Sequence, residues 1–224
     1  MPRRRRVTGS GVIFHVVNRS SRKGPLFESV GDYHAFEMIL RAGVTRFGVQ
    51  ILAYCLMPNH WHFVILPPVG HTLSRFMHWL TTTHARRWRL QTRSEGEGAV
   101  YQGRFKAIPV EADRHLLWVL RYVERNACRA SLVDRAEDWP WCSLWQREHN
   151  STAAWLAPWP VSRPANWLEH VNCPQTASEL EAFRRLMHAG DPFGEGEWQR
   201  RVLAETSRRS GRRRGRPPKT VLVK

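Results

Sequence analysis

Residues 49–66, VQILAYCLMPNHWHFVIL, read as two strands joined by a tight turn. Val49 to Met57 is a continuous run rich in apolar side chains. Pro58-Asn59 is a turn signal, and His60 to Leu66 is a second run that Pro67-Pro68 ends. Successive side chains of a strand point to opposite faces, so His60, His62 and Val64 share one face and Trp61, Phe63 and Ile65 the other. The tryptophan-bearing face is wholly apolar and is expected to pack on helices. The opposite face presents two imidazoles side by side. That pair can hold a divalent cation, although His-x-His also occurs in ordinary protein cores.

The flanking sequence places this hairpin at the centre of a sheet. GVIFHVVNRS (11–20) reads as a strand. From about Val30 to Phe47 the apolar residues Tyr33, Phe36, Ile39, Leu40 and Val44 recur at helical spacing, with Asp32 the expected N-cap and Gly48 the C-terminal stop. Thr72 to about Leu90 reads as a second helix, with Leu73, Phe76, Met77 and Leu80 on one side. A glycine-bearing loop follows. RFKAIPVEA (104–112) reads as a fourth strand whose Pro109 points to an edge position or a bulge. Asp113 can cap a third helix running to about Ala127. The order β-α-β-β-α-β followed by a helix predicts an α+β, ferredoxin-like antiparallel sheet with its two crossover helices on one face.

After about residue 150 the character changes. STAAWLAPWPVSRPANW (151–167) reads as irregular, 178–189 as a short helix, and 191–207 as another. SRRSGRRRGRPPK (207–219) is a charge run, expected to stay unstructured until it meets a partner. The expected division is therefore a folded domain over 1–150, a helical extension over 151–206 and a basic tail over 207–224.

The chain carries 35 Lys+Arg against 19 Asp+Glu, a formal charge of +16, which points to a polyanionic partner. Arginine dominates, and arginine suits bidentate phosphate contacts. Eleven tryptophans is a high count; some must be core, but exposed aromatics among arginines also grip unstacked bases. A GC-rich genome would raise both counts as well. The four cysteines form no C-x-x-C pair, which argues against a zinc knuckle and fits reduced thiols in the cytoplasm. MPRRRRV is basic but no apolar signal region follows it, and no window approaches a membrane span.

The third helix makes the histidine pair more informative. At about 100° per residue, Leu116, Leu120, Val123 and Ala127 form the core stripe. Tyr122 lies off that stripe, with His115, Trp118, Arg125, Asn126 and Arg129 within about 60° of it. A tyrosine placed among arginines suggests chemistry, although a half-buried tyrosine on an amphipathic helix is also common. A phenol ionises only at about pH 10, so as a nucleophile on a DNA phosphodiester it needs assistance. A cation on His60 and His62 would polarise the phosphate, and Asn126 could supply an oxygen ligand. Imidazole and amide ligands together suit Mg²⁺ or Mn²⁺ at least as well as zinc.

AYCLMPNHWHFVI, YQGRFKAIPV and LRYVERNACRASLV resemble the signature blocks of the REP-associated tyrosine transposases, which belong to the IS200-like, single-tyrosine HUH transposases. FHVVNRS and WPWCS are similar to flanking blocks of the same family, and DPFGEGEW and RRRGRPPK to its C-terminal segments. The resemblance implies an HUH endonuclease fold with an added nucleophile-bearing helix. It implies His60 and His62 as metal ligands, Asn126 as the third ligand and Tyr122 as the nucleophile. It implies cleavage of single-stranded, stem-loop DNA through a 5′-phosphotyrosine with release of a 3′-OH. Arg19, Arg104, Lys106, Arg125 and Arg129 stand within these blocks and are expected DNA contacts.

Arg212, Arg213, Arg214 and Arg216 surround the Arg-Gly-Arg-Pro of an AT-hook-like arm that would enter a minor groove. The same tail could add only salt-dependent affinity, or fold back over the site. A monomer acting on the nucleoid is expected. Two other functions fit part of the pattern. One is a DNA-binding repressor or architectural protein on the same fold, which would not need His60, His62 and Tyr122 together. The other is a rolling-circle initiator or relaxase, which usually brings a longer chain.

Overall fold

The hairpin forms at the expected turn, with Met57 opposite His60, Cys55 opposite His62 and Tyr54 opposite Phe63. The Pro58 carbonyl accepts from the Leu26 and Phe27 amides at 2.6 and 3.1 Å, tying the turn to the segment before the first helix. The computed structural model describes residues 11–21, 24–69, 72–94, 96, 98–149 and 155–210. The elements are β1 (Ile13–Arg19), α1 (Val30–Phe47), β2 (Gln50–Met57), β3 (His60–Leu66), α2 (Thr72–Thr92), β4 (Lys106–Val110) and α3 (Arg114–Glu124). Next come α4 (Asn126–Arg129), a 3-10 turn (Ala136–Asp138), α5 (Ser143–His149), α6 (Trp167–Asn172), α7 (Ala177–Ala189) and α8 (Gly196–Ser210). The antiparallel strands lie in the order β2-β3-β1-β4, the ferredoxin-like order expected from the sequence.

The sheet is covered on both faces. On one, Trp61, Phe63 and Ile65 join Phe14, Val16 and Leu56 against Phe36 and Leu40 of α1 and Phe76, Met77 and Leu80 of α2. Gly43 lets these helices approach, since a Cβ there would lie 2.7 Å from the Trp79 ring. On the other face, Val64, Cys55 and Ile108 meet Leu116, Leu120, Val123 and Ala127, together with Leu144, Trp167, Val171 and Phe183 of the later helices. Leu116, Leu120 and Val123 of the predicted stripe are buried on α3 together with Val119, and Ala127 is buried on α4. No helix among the described residues is long and apolar enough to cross a membrane.

Local details depart from the sequence reading. Ser29, not Asp32, caps α1: its hydroxyl accepts from the Asp32 amide, and the Asp32 carboxylate returns to the Ser29 amide at 2.9 Å. A carboxylate three residues into the helix can satisfy the cap amide while the serine satisfies its own. The third helix breaks at Arg125 (φ −83, ψ 2), so Tyr122 and Asn126 stand on separate pieces. β4 is shorter than 104–112. Helices α5 and α6 were not anticipated, being too short to carry a full apolar stripe. Helix α8 continues through Ser210, into the charge run expected to be unstructured.

Both outer edges of the sheet are occupied. Beyond β4, Phe193 donates to the Pro109 carbonyl at 2.8 Å and accepts from the Glu111 amide at 2.9 Å. Pro109, which has no amide to donate, faces that edge as its sequence suggested. Along β2, Ile51 accepts from Ala157 and Leu56 donates to Trp141, both at 2.9 Å. The Trp159 and Trp139 indoles donate to the Leu52 and Leu56 carbonyls, again at 2.9 Å.

Glu124 fixes the second layer. Its carboxylate is fully buried and accepts from the Ser143 hydroxyl at 2.7 Å and the Trp167 indole at 2.8 Å, joining α3 to α5 and α6. Burial raises its pKa against those two bonds. Glu124→Ala leaves two buried donors unsatisfied and a void, and is expected to cost about 3 kcal/mol in denaturant unfolding; Glu124→Gln should cost less.

A second buried relay lies on the other face. The Trp61 indole donates to the Tyr101 oxygen at 3.4 Å, and the Tyr101 hydroxyl is hydrogen-bonded to His84 Nδ1 at 2.6 Å. Burial first, and then Arg87, bring the His84 pKa down from 6.5 to about 4, against an opposing pull from Asp32. The unfolded chain therefore takes up this proton before the folded one does. The contribution is complete above about pH 6.5 and is lost as pH falls towards 4. His84→Gln should lose less stability than the wild type across that window, measured as unfolding free energy against pH.

Candidate functional site

The imidazole face of β3 meets an imidazole of β1. The His60 and His62 ring centroids are 5.1 Å apart at 80°, and those of His62 and His15 are 5.1 Å apart with planes 4° from parallel. His15 lies two residues from Val17, the register partner of His62, so alternation puts it on the same face. His15 and His62 are buried and His60 is half-buried. Burial is the main reason that all three are poor bases. With Arg19 and Arg129 nearby, His60 falls to about 4. His15, with Arg129, falls to about 3. His62 falls well below 6.5, with His60, His15 and Arg129 adding to burial. At neutral pH each ring is uncharged and keeps one nitrogen lone pair free to accept a bond.

Tyr122 stands over this face. Its ring centroid is 5.7 Å from His62 and 5.8 Å from His15, edge-on to both. Trp118 stacks on it at 5.6 Å, and the Arg129 guanidinium lies 4.1 Å from the ring centre. One feature differs from the sequence reading. Tyr122 is only 7% exposed, because α7 lays Phe183 against its ring at 4.8 Å. Helix α7 was read as part of a separate extension, so the face it covers was expected to be open and polar.

Asn126 opens α4 and is 4% exposed, and its amide nitrogen has no hydrogen-bond partner. The next amide, Ala127, bonds the Cys55 thiol, which puts this turn over β2 beside the register partner of His62. Two neutral imidazoles side by side on one face offer lone pairs that fit a divalent cation; the orphaned Asn126 atom is its NH2, a donor, so a ligand from Asn126 would be its Oδ1.

The expected DNA contacts divide. Arg19 is exposed and pairs in register with His60. Arg104 and Lys106 are exposed at the start of β4. Arg129 is half-buried beside Tyr122, where burial lowers its pKa; among the described residues no carboxylate pairs with it. Arg125 instead turns to the Asn172 carbonyl at 3.4 Å. His115 turns away to Asp113, at 2.8 Å. Arg212, Arg213, Arg214 and Arg216 lie outside the described residues.

Glu111, Asp113 and His115 form a second group with ligand atoms within 4.8 Å of one another. It sits at the far end of the sheet, beside the Ile13 end of β1, about 20 Å along the strands from His60. Its atoms have internal work: Asp113 caps α3 and accepts from His115, and Glu111 accepts from the Glu195 amide at 2.6 Å. Sequence reasoning missed this group and also His15, Asn59, Phe183 and Met187 around the β3 pair. For His15 a signal existed, since it is the one polar residue inside the apolar run IFHVV.

Comparison with known proteins identifies the family and the fold. The family model described as "Transposase IS200 like" matches residues 8–126, more than half of the chain. No curated protein matches. Among solved structures, a REP-associated tyrosine transposase bound to a REP hairpin is similar with a TM-score of 0.56 and 16% identity, over 79% of this chain and 96% of that one. A putative transposase from Deinococcus radiodurans R1 is similar with a TM-score of 0.38 and 19% identity, over 56% of this chain and 95% of that one. The chain shares the fold of the first, and it belongs to the IS200-like transposase family.

Proposed function

We propose that this transposase is a metal-dependent single-strand DNA endonuclease and strand transferase that recognises stem-loop DNA. The observation that carries the reading is the Tyr122 ring, edge-on to His62 at 5.7 Å with Arg129 at 4.1 Å. The Tyr122 hydroxyl attacks the scissile phosphorus. The new phosphorus–tyrosyl oxygen bond replaces the bond to the 3′ oxygen, which leaves as a 3′-OH, and the 5′-phosphate stays on the protein. Attack by the freed 3′-OH on another phosphotyrosine would complete strand transfer. His60, His62 and Asn126 would hold Mg²⁺ or Mn²⁺, which supplies charge stabilisation at the phosphate when bound. Arg129, half-buried without a carboxylate, is free to hold a phosphate oxygen. Arg19, Arg104 and Lys106 guide the flanking strand, and the arginines of 212–216 add contacts to duplex DNA.

The hairpin held by the structural neighbour supports a stem-loop substrate. The bonds already made along both outer strands among the described residues disfavour β-strand addition by a second copy, which supports a monomer. Action on the nucleoid in the cytoplasm follows from the DNA substrate. A repressor on this fold would bind the same hairpin without cutting it.

Incubation of a labelled single-stranded hairpin with Mn²⁺ or Mg²⁺ should give a covalent protein–DNA adduct that Tyr122→Phe abolishes. His60→Ala should lower the yield at least 100-fold, about 3 kcal/mol in barrier. Cleavage that survives Tyr122→Phe would exclude this nucleophile, and binding with no adduct on any hairpin would favour the repressor. Truncation after Ser210 should flatten the log–log salt dependence of binding by up to about 4, at about 0.9 per lost duplex phosphate contact.

A further inference from the structure

Each histidine of the β3 pair has one ring nitrogen engaged inside the protein, and in both it is Nδ1. His60 Nδ1 lies 2.7 Å from Asn59 Oδ1, an atom that only accepts. The His60 proton therefore sits on Nδ1, and Nε2 carries the lone pair. His62 Nδ1 lies 2.9 Å from His15 Nε2. Two imidazole nitrogens facing each other at that distance share one proton, and the pair alone does not say which ring owns it.

Met187 breaks the symmetry. Its sulfur lies 3.1 Å from the other nitrogen of His15, Nδ1, and a thioether can only accept. His15 is fully buried against Tyr122 and Phe183, and among the described residues no carboxylate bonds to it. A neutral imidazole has one proton, and here it points at the sulfur from Nδ1. His15 Nε2 then accepts, His62 Nδ1 donates, and the lone pair of His62 falls on Nε2. The relay runs from β3 through β1 to α7, so a residue 172 positions from His15 helps to set the state of the pair.

We propose that His15, oriented by Met187, and Asn59 are positioning residues that fix the tautomers of His62 and His60, so that both present an Nε2 lone pair to a divalent cation. The metal half of this statement rests on the function proposed above; the tautomer half does not. A free imidazole exchanges its proton between both nitrogens, so half of a chelating pair could be blocked at any moment. Outer partners that hold the proton on one nitrogen remove that loss and raise ligand basicity.

The test is two-bond ¹H–¹⁵N correlation NMR of histidine-labelled, metal-free full-length protein at neutral pH, with Mn²⁺ binding read by electron paramagnetic resonance. In the wild type, His60 and His62 should both show a protonated Nδ1 and a bare Nε2. His15→Phe keeps the ring volume and removes the acceptor. It should release the His62 tautomer, leave that of His60 in place, and weaken Mn²⁺ binding about 10–100-fold. His15→Gln returns an acceptor and should recover part of both. Asn59→Ala should release His60 alone. Met187→Leu, at a half-buried position that tolerates an isosteric change, should shift the His62 signals partway. A wild-type His62 protonated at Nε2, or unchanged tautomers and Mn²⁺ affinity in His15→Phe, would overturn the proposal. The expected tautomers with no Mn²⁺ binding at all would uphold the positioning of the rings and overturn the metal reading.

Discussion

A slip of one residue between β2 and β3 would exchange the two faces of the hairpin. Trp61 and Phe63 would leave the aromatic core between α1 and α2, and His60 and His62 would enter it with no partners. The two-residue turn at Pro58-Asn59 prevents this, with its proline carbonyl holding the Leu26–Phe27 segment. Burying two large aromatics favours the observed register by several kcal/mol, at roughly 2–3 kcal/mol for each side chain. The same register brings His62 opposite Val17 and so within reach of His15. Fold and candidate site thus rest on one alignment.

The site lies between layers that form differently. The sheet with α1 and α2 is a continuous apolar core, which patterning specifies well. The layer of α3 to α7 contains the buried Glu124 carboxylate and an arginine that, among the described residues, has no carboxylate partner, and it covers three neutral histidines of β1 and β3. Such groups oppose folding unless their partners are in place. The Ser143 and Trp167 bonds to Glu124 are therefore as important to this layer as its leucines.

This difference explains what could be read from the sequence. Alternation in residues 60–66 separated the two faces of β3, and helical periodicity found Leu116, Leu120, Val123 and Ala127, because burial of apolar area leaves a period in the sequence. The same arithmetic put Trp118 and Arg129 beside Tyr122, where the structure has them. It could not place Phe183 or Met187 there, since contacts between elements far apart in the chain leave no local pattern. The break at Arg125 was equally hidden: no glycine or proline marks it. His15 could have been noticed as an isolated polar residue in a strand, but its partner could not have been named. Asn59 was visible only as a turn residue, and its contact with His60 depends on side-chain direction.

The closure of the β4 edge has a consequence for a chain still being made. Phe193, which satisfies Pro109 and Glu111, is translated more than eighty residues after β4. During synthesis the first four strands can assemble while that edge has no neighbour, and an open edge invites pairing with another nascent chain. Pro109 removes one donor from the exposed ladder over that interval. The residue that limits the finished strand thus also guards the unfinished one.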